Sequence, residues 1–212
     1  MASPLEKARK DPKSMKGRIL KSASKLYGKN GYQGTTTRMI AKEVGIDIST
    51  LYYHWGEKAD LYEAVLTCMK EDLQDLLKSI ERVIKGKSLK ERLEVAINMC
   101  CDYYFSNPET TSLILLHYYG FSLELNEIDV KFDIADAIKN IAYSMGLVED
   151  RDGVSVQAKA KVMAVVLSLF SFIGGEKHLR EIIGAEKEEY REVVKDVLKF
   201  ILIPAFVQNK DR

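Results

Sequence analysis

The stretch TTTRMIAKEVGIDISTLYYHWGEKADLYEAVL, Thr35 to Leu66, decides how this chain is read. Thr35, Thr36 and Thr37 offer N-cap hydroxyls to a helix of about two turns, in which Ile40, Ala41 and Val44 are the apolar positions. Ala41 is small where a second helix would cross closely. Gly45 suits a tight turn, Ile46 fills the space beneath it, and Asp47 can cap a second short helix whose Leu51 faces inward. Two short helices joined through a glycine make a helix-turn-helix, the unit that lays its second helix in a major groove.

The outward residues of that second helix are Ile48, Ser49, Thr50, Tyr53 and His54. Serine and threonine hydroxyls can bond base edges or phosphates, and isoleucine and tyrosine can meet a thymine methyl. Lys58 opens the following helix, where it suits a phosphate. The same segment would also serve as an ordinary helical hairpin, with Tyr52, Tyr53 and Trp55 as core aromatics.

Charge separates this segment from the rest. The 212 residues carry 32 Lys and Arg against 31 Asp and Glu, a net +1 that gives no global argument for a polyanionic partner. The average conceals a partition: residues 1–60 hold 12 basic and six acidic side chains, a net +6, and the remainder is −5. A basic quarter on an acidic body fits a local polyanion site, or a lysine-rich solubilising tail. A hydrophobic fraction of 46% excludes a disordered chain.

Working outward, helical periodicity dominates and no strand alternation stands out. An amphipathic segment covers about Met15 to Lys29, with Asn30-Gly31 as its stop, and longer segments follow beyond Gly86 up to Leu202, before Pro204. The expected fold class is all-α, with about nine helices: a three-helix head with the helix-turn-helix and a larger helical body. The expected divisions are a basic flexible tail at 1–14, a DNA-binding head at 15–60 and a body at 61–212. Cys68, Cys100 and Cys101 have no metal-ligand or disulfide spacing. The N-terminus lacks an apolar signal core, and the longest uncharged stretch, 162–175, has 14 residues, short of the ~20 of a spanning helix. These features lead us to expect a cytoplasmic protein without a membrane partner.

The ordered residues Thr37, Ile40-Ala41, Gly45-Ile46, Thr50-Leu51-Tyr52-Tyr53-His54-Trp55, Lys58 and Leu61 resemble the DNA-binding head of the tetracycline-repressor family of bacterial transcription regulators. Ala23, Leu26, Gly31 and Tyr32 resemble that family's first helix, so the likeness covers roughly residues 16–66. It implies base or groove contacts from Arg38, Ser49, Thr50 and Tyr53, with Ile48 beside them, and phosphate contacts from Thr37, Tyr52, His54 and Lys58. Three departures leave the operator's identity open: Asp47 stands where Ser or Thr is common, Ile48 where Lys, Arg or Gln is common, and Ser49 where Gly, Pro or Ala often occurs.

For the body, the resemblance implies a homodimer paired through the last two helices. Val162, Val166 and Phe170 on one helix and Val194, Leu198 and Ile201 on the other are the candidate seam, an internal core pair being the alternative. It also implies a pocket for a hydrophobic or aromatic small molecule, for which Met99, Cys100, Tyr103, Tyr104, His117, Tyr118 and Phe121 are the candidate lining. Aromatic and Met residues at helical spacing equally suit plain core. No cofactor, metal cluster or nucleophile motif is expected, and so no enzyme. The function implied is a ligand-responsive regulator, by family habit more often a repressor, on palindromic double-stranded operator DNA. The alternative is a helical module that carries or senses a small molecule and uses its head for protein contacts.

Overall fold

The computed structural model describes residues 3–118, 134–150 and 153–207. Among these the protein is helical without strands, in eleven helices rather than about nine. They are α1 (Pro4–Lys10), α2 (Met15–Asn30), α3 (Thr37–Val44), α4 (Ile48–Trp55), α5 (Lys58–Ile84), α6 (Leu89–Ser106), α7 (Pro108–Tyr118), α8 (Ile134–Ser144), α9 (Val156–Gly174), α10 (Glu176–Ile183) and α11 (Lys187–Val207). The described residues group into two compact units, one within 1–73 and 109–131, the other within 74–108 and 132–212. The head therefore does not stop at 60. It takes in the first part of α5, where Leu61, Tyr62, Val65, Leu66, Met69 and Leu73 are buried, and α7 from Glu109.

The expected flexible tail at 1–14 is instead α1. Ser3 accepts from the Glu6 N–H while the Glu6 carboxylate accepts from the Ser3 N–H, a reciprocal cap with Pro4 in the first turn. Ala8 is buried, and Arg9 reaches across to Asp72 at 2.7 Å and Glu71 at 3.4 Å. Part of the basic excess thus serves the fold.

Two more cations do the same at helix C-termini, where unpaired carbonyls gather partial negative charge. Lys16 Nζ donates to the His54 carbonyl (2.7 Å), and Arg18 Nη2 to the Val44 carbonyl (2.8 Å). Thr36 caps α3 by accepting from the Met39 N–H. Thr35 is fully buried, and its hydroxyl serves the Leu26 and Gly31 carbonyls instead. Gly45 ends α3 in the left-handed conformation, φ 76° and ψ 43°, which favours glycine. Its N–H and that of Ile46 both return to the Ala41 carbonyl, closing the turn.

In the second unit, aromatic edges and one arginine knit α6 to α9, α10 and α11. The rings of Tyr104 and Phe170 meet edge-on at 5.1 Å, and Tyr190 donates its hydroxyl to the Phe172 carbonyl. Arg191 lies over the Phe105 ring, donates to the Phe105 carbonyl and pairs with Glu176. The last helix does not end at Leu202: α11 continues through Pro204 to Val207, with Phe206 buried. Among the described residues, α9 is the one helix long and apolar enough to cross a membrane by length and composition, and it carries Ala158, Val162, Leu169, Phe170 and Ile173 as buried side chains.

Candidate nucleic-acid interface

The head presents a face by burying its opposite. On α4, Leu51 and Trp55 are buried, one turn apart, and the Trp55 indole donates to the Lys16 carbonyl. That anchoring turns Ser49, Tyr52 and Tyr53 to solvent, with Tyr53 84% exposed and Tyr52 39%. Ile48, Thr50 and His54 are half-buried beside them. On α3, Ile40, Ala41 and Val44 turn inward, which leaves Arg38 exposed and Thr37 half-exposed at the helix start. Tyr53 and His54 meet edge-on at 5.2 Å, so the most exposed ring leans on the last turn of its own helix.

Asp47 differs from expectation. It occupies the N-cap position of α4 in an extended conformation but makes no capping hydrogen bond. Its backbone carbonyl still accepts from the Thr50 and Leu51 N–H groups, so the first turn closes without the carboxylate.

Two of the nominated phosphate ligands are held from beneath. Lys58 Nζ sits 4.1 Å from the centroid of the Tyr32 ring, and burial lowers its pKa below the ordinary lysine value. Its backbone carbonyl accepts from the Tyr27 hydroxyl at 3.2 Å. His54 is lowered below the ordinary imidazole value, chiefly by burial and then by the Lys16 cation, and its buried Nδ1 has no hydrogen-bond partner among the described residues. The free protein therefore holds His54 neutral near pH 7.

The nominated ligand residues are not brought together. A cavity of about 520 Å³ lies in the second unit, within the range of small-molecule sites, and of the seven candidates only Cys100 lines it. Its wall is aliphatic, not aromatic: Leu77, Ile80 and Ile84 of α5, Leu93 and Ile97 of α6 and Leu169 of α9 are typical. Leu93, Ala96, Ile97 and Cys100 share one helical face and line the cavity; Met99 and Tyr103 do not reach the wall, and Tyr104 packs on Phe170. Burial pushes the Cys100 thiol up to about 12, so it stays neutral in that wall. The side chains of His117 and Tyr118, and Phe121 altogether, lie outside the described residues.

Most of the nominated seam lies inside the single chain. Val162, Phe170, Val194 and Leu198 are buried inside the single chain, and Val166 lines the cavity. Only Ile201, 50% exposed, faces out. Both helices are apolar over much of their circumference, and the stripe at 190, 194, 198, 202 and 206 is the one turned inward. The outward stripe holds Val193, Phe200 (80% exposed), Ile201 and Val207 on α11, with Val156 and Met163 exposed on α9. Among the described residues no three His, Cys, Asp or Glu side chains cluster as metal ligands.

Comparisons with known proteins agree with this geometry. The family model described as "Bacterial regulatory proteins, tetR family" matches residues 19–65, which span α2 to the start of α5. The biofilm operon negative transcriptional regulator IcaR of Staphylococcus aureus (strain Newman) is 38% identical over 63 residues, 30% of this chain and 34% of that protein. The chain thus matches about a third of that relative's length. The transcriptional regulator QacR of Staphylococcus aureus (strain Mu50 / ATCC 700699) is 26% identical over 122 residues, 56% of this chain and 65% of QacR. The solved structure of AibR in complex with isovaleryl coenzyme A and operator DNA has the same fold, with a TM-score of 0.64 at 17% identity over 88% of this chain and 96% of AibR. The segment that the tetR-family model matches is the one that holds the helix-turn-helix closed at Gly45 and the anchored α4.

Proposed function

We propose that the protein is a DNA-binding transcription regulator of the cytoplasm, a repressor that binds a palindromic operator as a homodimer and is released by a small apolar effector in the body. The observation that carries this is the split of α4: Leu51 and Trp55 buried, and Ser49, Tyr52 and Tyr53 turned to solvent beside Arg38. A helix held from behind and polar in front is what groove reading needs. The exposed apolar stripe of α11 supports pairing with a second copy, because two heads on a dyad read a palindrome that one head binds weakly. We read α9 as a body helix, since one of its sides is buried within the chain and Lys159 and Lys161 lie in its first half. An effector that favours a head spacing mismatched to DNA would weaken operator binding, and DNA would weaken the effector by the same factor, typically ~5–150-fold.

Selection from random double-stranded DNA tests this. The expected result is enrichment of an inverted repeat, and an unenriched pool overturns it. The double variant Arg38→Ala/Lys58→Ala is expected to lose at least tenfold in affinity with a shallower salt slope, because it removes two DNA-facing cations. If the head served protein contacts instead, that variant would bind DNA unchanged.

His54 makes the binding pH-dependent. Its pKa is lowered in the free protein, and a phosphate partner would raise it, so complex formation takes up a proton. Operator affinity should therefore strengthen as pH falls from about 7.5 to about 5.5, and His54→Gln should flatten that slope. A profile identical in the two proteins would remove His54 from the phosphate contacts.

A further inference from the structure

Two cavities of the second unit share a wall. The aliphatic cavity already described and a smaller one of about 420 Å³ have Glu81, Ile84, Arg92 and Ser144 in common. The smaller one adds Lys85, Gly86 and Lys87, from the turn after α5, and Tyr143 of α8. Among the described residues, Glu81 is the one acid in either lining, and it is exposed. Against it stand Lys78, Lys85, Lys87 and Arg92. The larger cavity is mostly hydrocarbon with Lys78 and Arg92 in its lining, and the smaller one adds two further cations, Lys85 and Lys87.

Arg92 lines both cavities. One Nη donates to the Ser144 carbonyl, which fixes the guanidinium against the end of α8. Its Nε is buried and has no hydrogen-bond partner among the described residues. A buried guanidinium donor left unpaired is costly, and an anionic acceptor is the partner that best satisfies it. The wall carries polar side chains, among them Gln74 and Asn140, but most of it is aliphatic, as at Leu77, Ile80 and Leu169, and accepts a flexible hydrocarbon chain.

We propose that the effector is an alkyl carboxylate: its aliphatic chain lies in the larger cavity and its carboxylate meets Arg92, where that cavity adjoins Lys85 and Lys87. This rests on the regulator reading and names the class of its effector. A chain buried among aliphatic side chains gains affinity with every methylene, about fourfold for each. The carboxylate supplies an increment that an alcohol of equal length lacks.

Calorimetric titration of the full-length protein, without DNA, tests the assignment. The probes are hexanoate, octanoate and decanoate, with decanol, decylammonium and decanoyl-coenzyme A as the comparison arms. Affinity is expected to rise about fourfold per methylene along the carboxylates. Decanoate should bind at least tenfold more tightly than decanol or decylammonium. Arg92→Gln should cost decanoate at least tenfold and leave decanol within about twofold, with Arg92→Lys in between. Decanol matching decanoate, no chain-length trend, or no binding of any carboxylate overturns the proposal. So does binding of the coenzyme A thioester alone, since a thioester carries no charge at the chain end. The head-group series on the unaltered protein decides the matter even if Arg92→Gln unfolds for want of its bond to Ser144. Operator affinity is measured separately with and without decanoate: Arg92-dependent binding that leaves DNA affinity unchanged keeps the ligand class and removes only the effector role.

Discussion

Phe200→Glu should give a protein that stays folded and sediments as a monomer at micromolar concentration. Phe200 is 80% exposed on α11, so nothing in the single chain depends on its ring. In a two-fold interface the same residue occurs twice, and each phenylalanine withdrawn from water contributes about 1.5–3 kcal/mol. Losing both, and placing two carboxylates near the dyad, should weaken dimerisation by at least 100-fold. Operator affinity should fall with it, because each head then binds alone. Leu198→Ala is the matched control: Leu198 is buried within the chain, so the change should lower folding stability by about 2–5 kcal/mol while the folded protein still pairs. Sedimentation velocity separates the two, and a Phe200→Glu protein that remains dimeric would place the seam elsewhere.

Tyr27→Ala should cost about 3–5 kcal/mol of stability, a large part of the ~5–15 kcal/mol that holds a domain folded. Tyr27 is fully buried, with its ring centroid 4.8 Å from that of Tyr62 and 6.1 Å from that of Tyr32. Burial raises its pKa and pushes Tyr62 up to about 12, as befits phenols in a dry site. Its hydroxyl holds the Lys58 carbonyl at the start of α5, so the same change should loosen a nominated phosphate ligand. Tyr27→Phe keeps the ring and removes only that bond, for about 0.5–1.5 kcal/mol. Urea unfolding of the two variants reads the difference, and a cost below about 1 kcal/mol for Tyr27→Ala would show that the site collapses around the missing ring.

The contrast between head and body explains what was readable in the residues alone. The turn at Gly45, the cap at Thr36 and the burial of Leu51 follow from short-range chemistry: a left-handed glycine, a hydroxyl beside an unpaired N–H, an apolar residue one turn from Trp55. Such signals lie within a few residues of their effect. The reciprocal cap of Ser3 and Glu6 is equally local, and the sequence Ser3-Pro4-Leu5-Glu6 carries it; reading residues 1–14 by charge alone obscured α1.

Arg9, Lys16 and Arg18 teach a different lesson. As sequence they are three cations of a basic quarter that fits a polyanion site or a solubilising tail, but their partners Asp72, His54 and Val44 lie between 26 and 63 residues away, so charge counting could not show that the fold uses them itself.

For the body the residues determined helices and an abundance of apolar side chains, and no more. Along α11 the sets at 194 and 198 and at 193, 200 and 201 are both valid helical stripes, and periodicity ranks neither above the other. Likewise nothing beside Arg92 in the chain marks it as the cation of a cavity whose walls come from α5, α6, α8, α9 and α11. The sequence by itself determined the helices, the glycine turn and the outward face of α4, because hydrogen bonds and caps act within one or two turns. Only the tertiary structure decided which apolar stripe is core, which is surface and where the cavity lies, because burial is set by neighbours that arrive from distant parts of the chain.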